Sequence, residues 1–316
     1  MKTATILFGL TISLFSSCAA PAPYSSPEVV RLAIGPVASL PPELRRAFEP
    51  DGAFKSLPVP GPNDWLAIYP EPGQTYHQFV NADPNTPAPP RNVIYIQPLD
   101  AFAGSDPKAL AMLEKFAAAF FSMPVTLQAP VDVSRYGITE RQNPGTGQRQ
   151  LLAGDLLGFL RRDLPDDAFC RLGITTIDLY PEPSWNFVFG QAYLTERTGV
   201  YSFARYEPRF YGKAPKPGDG QLTLLRSFKV LAHETGHMFG IEHCVYLLCL
   251  MNGSNHMEEA DASPVHLCPV CLRKLQHSVG FDIEQRYRTL EVVYREAGLV
   301  DEAAWVRRRA DYVRGE

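Results

Sequence analysis

The run His233-Glu234-Thr235-Gly236-His237-Met238-Phe239-Gly240-Ile241-Glu242-His243 concentrates the residues best suited to chemistry. On a helix, His233 and His237 stand one turn apart on the same face, with about 6 Å between their Cβ atoms. Both imidazoles can then reach one zinc ion at about 2.0–2.1 Å. Gly240 lets the backbone leave the helix sharply, and the chain can turn back to bring His243 in as a third ligand. Three histidines leave a fourth position for water, which a catalytic rather than a structural site requires. Glu234 does not ligate in this arrangement. It stands to accept the proton of the zinc-bound water as hydroxide attacks a carbonyl, and then to deliver it to the leaving amine. The reaction class is metal-assisted amide hydrolysis. A bare His-Glu-x-x-His arises by chance in about one chain in a hundred, and adding Gly240 and His243 lowers that to the order of one in a hundred thousand. A helix of incidental core histidines is therefore a poor account of this run.

The cysteines extend the pattern. Of six, Cys244, Cys249, Cys268 and Cys271 cluster immediately after His243, whereas Cys18 and Cys170 stand apart. Two such pairs have the spacing of a closed tetrahedral sulfur site, which would clamp the segment after His243 to the next helix. Two disulfides are the competing reading, open to a chain exported into an oxidising compartment. Zinc is preferred because metal-bound thiolates resist oxidation and Cys-x-x-Cys is a poor staple. Cys170 reads as a small buried hydrophobe. Met251, in the turn-prone Met251-Asn252-Gly253, has the position of a Met-turn beneath a zinc site, although a lone methionine is more often core filler.

These residues need a scaffold. Asn92–Gln97 is β-branched and reads as a strand, and an amphipathic helix follows Pro107 with Leu110, Leu113, Phe116, Phe120 and Phe121 at helical spacing. Val125–Val133 reads as a second strand, Asn143-Pro144-Gly145 as a turn, and Leu152, Leu156, Phe159 and Leu160 as a second helix. Gly173–Tyr180 reads as a buried strand and Trp185–Tyr206 as one or two more. Leu224, Leu225, Phe228, Leu231 and Ala232 mark a third helix that runs into the histidine motif, and C-terminal helices follow. This alternation predicts an α/β (α+β) fold with a mixed β-sheet.

Composition sets the outer bounds. The chain has 316 residues, a net charge of -4 and no long basic run, which argues against nucleic acid as the main partner. No apolar run reaches the roughly 18 residues that span a bilayer. At the start, Lys2, the apolar stretch Ala4–Phe15 and the small residues before Cys18 have the layout of a bacterial export signal, and Cys18 is the candidate lipidation site. The expected organisation is a signal over 1–18, a Pro/Ala/Ser-rich tether over 19–40, a catalytic domain over 41–298 and a helical tail over 299–316. The expected localisation is exported, anchored through Cys18 or otherwise periplasmic or secreted.

The segment His233–His243, followed by Cys244, Cys249-x-Met251, Cys268 and Cys271, resembles the archaemetzincins. Ile177–Tyr180, Trp185–Gln191, Ser202–Tyr206 and Asn252–His256 resemble eukaryotic-type members as well. The resemblance covers roughly residues 40–290. It implies a metzincin-like mixed sheet with an active-site helix and a zinc-clamped C-terminal helical region. It also implies two zinc ions: a catalytic one on His233, His237 and His243, and a structural one on the four cysteines, with Glu234 as the base. A peptide substrate is implied, with aminopeptidase action on short peptides attributed to some members. A monomer is expected. The rival reading is a zinc-stabilised binding or scaffold lipoprotein with little turnover.

Three finer expectations concern substrate. An edge strand near Phe187–Tyr193 is a candidate ledge for an extended peptide. Glu258, Glu259 and Asp261 are either a cradle for a free α-amino group or a solvated acidic face. His256 and His266 are expected beside the site or on the surface and not as ligands.

Overall fold

The computed structural model describes residues 26–100 and 107–316. Cys18 and the expected signal lie outside the described residues. The largest element of the scaffold is a five-stranded sheet of order β2-β1-β5-β8-β7. Its members are β1 (Val93–Pro98), β2 (Val125–Leu127), β5 (Ala168–Thr175), β7 (Gly190–Ala192) and β8 (Thr198–Ser202). β1, β2, β5 and β8 run parallel, and β7 closes one edge antiparallel to β8. β5 is buried along its whole length, as a central parallel strand covered on both faces must be.

Helices cover both faces. α5 (Pro107–Phe121) and α7 (Asp219–Met238) lie against one face. Phe116 stacks on Phe228 with ring centroids 4.1 Å apart, which joins the two helices. On the other face, Leu156, Leu157 and Leu160 of α6 (Ala153–Arg162) form a second core with Leu99, Leu151, Leu179 and Val200. A small sheet of order β3-β4-β6, made of Glu140–Gln142, Arg149–Leu152 and Asp178–Tyr180, extends this side. The turn at Asn143 joins β3 to β4, where the Asn143 side chain accepts from the backbone N–H groups of Gly145 and Thr146 at 2.9 Å.

Three expectations about extent are corrected. The extended run 125–133 pairs only over Val125–Leu127, with Pro130 following. The buried run 173–180 divides between two sheets, because Asp100 accepts from the Thr175 hydroxyl and the Thr176 N–H, both at 2.7 Å, and turns the chain between them. The proposed tether does not extend through 40. Pro27–Ile34 is a helix, α1, capped by Ser26, and it buries Val30, Ala33 and Ile34. Arg273 then ties its end down by donating to the carbonyls of Ile34 and Pro36.

Between α1 and β1 the chain forms three short helices, α2 (Pro42–Ala47), α3 (Trp65–Ile68) and α4 (Tyr76–Asn81), in a proline-rich wrapping. After α7 come α8 (Met257–Ala262), α9 (Pro269–Val279), α10 (Ile283–Glu296) and α11 (Val300–Arg314). The last is no appended tail. Val306, Ala310 and Val313 belong to the main core, and Arg309 pairs with Asp51 at 2.6 Å. Among the described residues no helix is long and apolar enough to cross a membrane.

Candidate metal centres and active-site cleft

α7 buries Phe228, Leu231, Ala232, Thr235 and Met238. That apolar stripe fixes the rotation of the helix and turns Lys229, Val230, His233, Glu234 and His237 towards a cleft of about 750 Å³. The helix ends at Met238 with Phe239 as its C-cap, and Gly240 follows at φ +81°, a conformation open to glycine. The reversal returns His243 to its partners. The ligand-type nitrogens of His233, His237 and His243 all lie within 4.8 Å of one another. The Nε2 atoms of His233 and His237 are 3.0 Å apart. Two tetrahedral ligands at zinc–nitrogen distance would be about 3.3 Å apart, so the spacing fits.

The orientation of each ring is set from behind. His233 Nδ1 faces the Leu250 carbonyl at 2.9 Å, and His237 Nδ1 faces the Ile241 carbonyl at 2.7 Å. His243 Nδ1 faces the Glu71 carboxylate at 2.9 and 3.2 Å. Acceptors at all three Nδ1 positions place the ring protons there and leave the Nε2 lone pairs for the common point, as a metal-ligating histidine requires. Burial and the neighbouring imidazoles pull His233 down to about 4 and His237 well below the usual histidine range, so both are neutral donors near pH 7.

Glu71 had no signal in the sequence. Burial works to raise its pKa, but the hydrogen bond and charge of His243 and the Trp65 indole N–H outweigh it and hold the carboxylate below its ordinary range. Trp65 donates to Glu71 at 2.9 Å and sets its ring edge-on to His243, with centroids 5.1 Å apart.

Glu234 is 5% exposed and lines the same cleft. Its carboxylate lies against Gly190 of β7, where a Cβ would come within 2.4 Å of Oε1. Glycine at that position is what admits the carboxylate beside the sheet edge. Burial alone pushes Glu234 up to about 8. A divalent cation held by the adjacent imidazoles acts in the opposite direction. Below the histidines, Met251 is fully buried, and a Cβ on Gly236 would meet its sulfur at 2.6 Å. Met251 thus forms the floor of the site, admitted by a glycine in the active-site helix.

The four clustered cysteines are a second, closed site. Cys244, Cys249, Cys268 and Cys271 are free and buried, with all four sulfurs within 4.8 Å of one another. The Cys244 and Cys268 sulfurs are 3.6 Å apart, far beyond disulfide bonding and close to the roughly 3.8 Å expected across a tetrahedral zinc–sulfur site. Hydrogen bonds from the other three thiols hold Cys244 well below the usual thiol range, while burial pushes Cys249 and Cys268 up. The Cys249 sulfur accepts from the backbone N–H groups of Cys268 at 3.2 Å and Met251 at 3.5 Å. Cys268 caps α9 and Cys271 sits in its first turn.

The cleft is roofed by residues 181–188, which the small sheet holds down. Arg141 donates to the carbonyls of Pro183, Trp185 and Asn186, and Gln150 donates to Asn186 at 2.9 Å and Asp178 at 2.8 Å. Arg205 grips Asp178 through two 2.8 Å bonds and lies over the Phe187 ring at 3.6 Å. Gly190, Gln191 and Ala192 of the edge strand β7 also line the cleft.

The acidic triplet forms no amine cradle. Glu259 accepts from the N–H groups of Trp65 at 2.9 Å and Asn255 at 2.7 Å, and Asp261 is gripped by Arg226 at 2.9 and 2.6 Å. The exposed Glu258 pairs with His256, whose other nitrogen meets Asp64 at 2.9 Å. His266 is neither beside the zinc-type site nor on the open surface. It stacks on Trp305 at 3.6 Å and seats α11 against the core.

A helix-borne histidine pair with an intervening glutamate, a third histidine beyond a glycine turn and a methionine floor define a metzincin-type metallohydrolase. The sequence model of Peptidase family M54 matches residues 142–277. Archaemetzincin-2 of Homo sapiens is 43% identical over 276 residues, spanning 78% of this chain and 76% of that protein. Archaemetzincin-2 of Macaca fascicularis is 42% identical with the same coverage. The crystal structure of an archaemetzincin from Methanopyrus kandleri covers 61% of this chain and 97% of its own, at 29% identity and a TM-score of 0.48. The chain belongs to the archaemetzincin family, Peptidase family M54, and is a zinc metallopeptidase.

Proposed function

We propose that the cleft binds a peptide extended along the free edge of β7 and that Glu234 is the general base and acid of its hydrolysis. The observation that carries this reading is the placement of Glu234, buried against the backbone of Gly190 in the cleft that the three imidazoles also line. Zinc held by His233, His237 and His243 would supply the Lewis acidity that polarises the scissile carbonyl and makes water acidic enough to attack. Glu234 then takes the proton of the attacking water and returns it to the leaving amine. The β7 edge offers backbone groups that align the substrate by strand addition. Aminopeptidase restriction gains no support from Glu258, Glu259 and Asp261, which are committed elsewhere.

A second zinc on Cys244, Cys249, Cys268 and Cys271 would hold the segment after His243 against α9. The export layout of the N-terminus supports work outside the cytoplasm, with Cys18 as the anchor. A C18A variant of the full chain should then leave the membrane fraction for the soluble one, and an unchanged distribution would remove the anchor.

The test of the catalytic reading is Glu234→Gln. It should lower kcat on a mixed peptide library by about 10³-fold while zinc content stays at the wild-type level. Equal turnover in the two proteins would contradict the role given to Glu234.

A further inference from the structure

The stripe of α7 that carries His233 and His237 continues one turn back to Lys229, at i, i+4 and i+8. All three line the cleft, and a helical turn places Lys229 only about 6 Å along the axis from His233. Its ammonium donates to the carbonyls of Ala260 at 3.3 Å and Asp261 at 3.0 Å. An ammonium has three N–H bonds, so one remains for another acceptor. No carboxylate closes on Lys229 among the described residues. The Asp261 side chain is committed to Arg226, and Asp261, Glu302 and Arg226 act on Lys229 only through space.

The surroundings sharpen the point. Val230, Leu250 and Pro264 give the same cleft apolar lining, and burial draws the pKa of Lys229 below the usual lysine range. A cation that has lost much of its water without gaining an anion rewards a carboxylate more than an exposed lysine does. Among the described cleft residues, Lys229 is the only lysine or arginine, whereas Glu71, Glu182, Glu234 and Glu242 make the remainder acidic. Apart from a metal on the three imidazoles, Lys229 is therefore the one cationic side chain that a substrate carboxylate meets among the described cleft residues.

We infer that Lys229 is a specificity residue that receives a carboxylate of the peptide substrate next to the scissile bond. The source is an Asp or Glu side chain or the C-terminal carboxylate of a short peptide. This inference rests on the peptidase reading, since it names the substrate class of the same cleft.

The test compares peptides that differ only in Glu, Gln or Lys at each position flanking the cleaved bond, together with short peptides ending in a free acid or an amide. The wild-type chain should favour Glu over Gln at one position, or acid over amide, by about tenfold in kcat/KM, with Lys poorest. Whichever pair shows the preference identifies the source of the carboxylate. Lys229→Met should bring the ratio to about one whatever its absolute activity, and Lys229→Arg, which retains a cation, should keep the preference. Wild-type indifference to both pairs would overturn the inference, as would an undiminished ratio in K229M. Calorimetric affinities of the same peptides for the E234Q protein read the preference without turnover. A chain that cleaves none of these peptides would therefore count against the peptidase reading alone, while the affinity ratios still decide the role of Lys229.

Discussion

The two metal-type clusters stand next to each other in sequence, Cys244 directly following His243, yet they differ in kind. The histidine cluster has three donors, sits at the wall of a 750 Å³ cleft and keeps one side towards solvent. The cysteine cluster has four donors, each buried, with backbone N–H groups directed at the Cys249 sulfur. Three donors beside a cavity leave a position for substrate chemistry, while four donors in a core leave none. The same short segment serves both. The Leu250 carbonyl orients His233, Met251 forms the floor of the histidine site, and Asn252 ties the loop with bonds to the Cys244 carbonyl at 2.7 Å and the Leu247 carbonyl at 3.0 Å. The closed site therefore builds the wall against which the open one works.

That division of labour can be broken at either end. Cys271→Ser removes one donor from the closed site and leaves the others buried without their metal. It should cost upwards of about 4 kcal/mol of stability and take the histidine site with it, read as a lower Tm and loss of both zinc ions. Retention of peptidase activity with a single zinc would show that the two sites are independent. Glu71→Gln acts on the open site alone. It weakens the acceptor behind His243, so zinc affinity there should fall about 10- to 100-fold with little change in Tm, as measured by competition with a chromogenic chelator. An unchanged affinity would mean that Glu71 only packs against Trp65.

Much of the open site was legible because it lies on one helix. Spacing of three and four residues fixes which side chains share a face, so His233, Glu234 and His237 were readable without any fold, and Gly240 announced the reversal that returns His243. Glu71 was not readable. It lies 172 residues from His243 in a proline-rich wrapping with no period to follow, and only tertiary packing brings the two together. The small sheet escaped for a related reason. Its strands β3 and β4 are three and four residues long and carry Glu140, Arg141, Arg149 and Gln150, so no hydrophobic alternation marks them; only the turn between them at Asn143 and, in β6, the end of the buried run 173–180 are readable. Helix α1 is hidden for a different reason. Val30, Ala33 and Ile34 do stand at helical spacing after a Ser-Pro cap, but the preceding Pro/Ala/Ser composition masked the pattern.

We propose that this peptidase carries one open, exchangeable zinc site on the histidines and one closed, structural site on the cysteines. The direct measurement follows zinc content, peptide hydrolysis and near-UV circular dichroism together while the full chain is dialysed against a graded chelator. About two zinc ions are expected at the start. The first should leave with all activity and with the tertiary signal intact, and return on adding zinc; the second should leave only as the fold is lost. Simultaneous loss of both ions, or a starting content of one with the fold unaffected by chelator, would contradict the proposal.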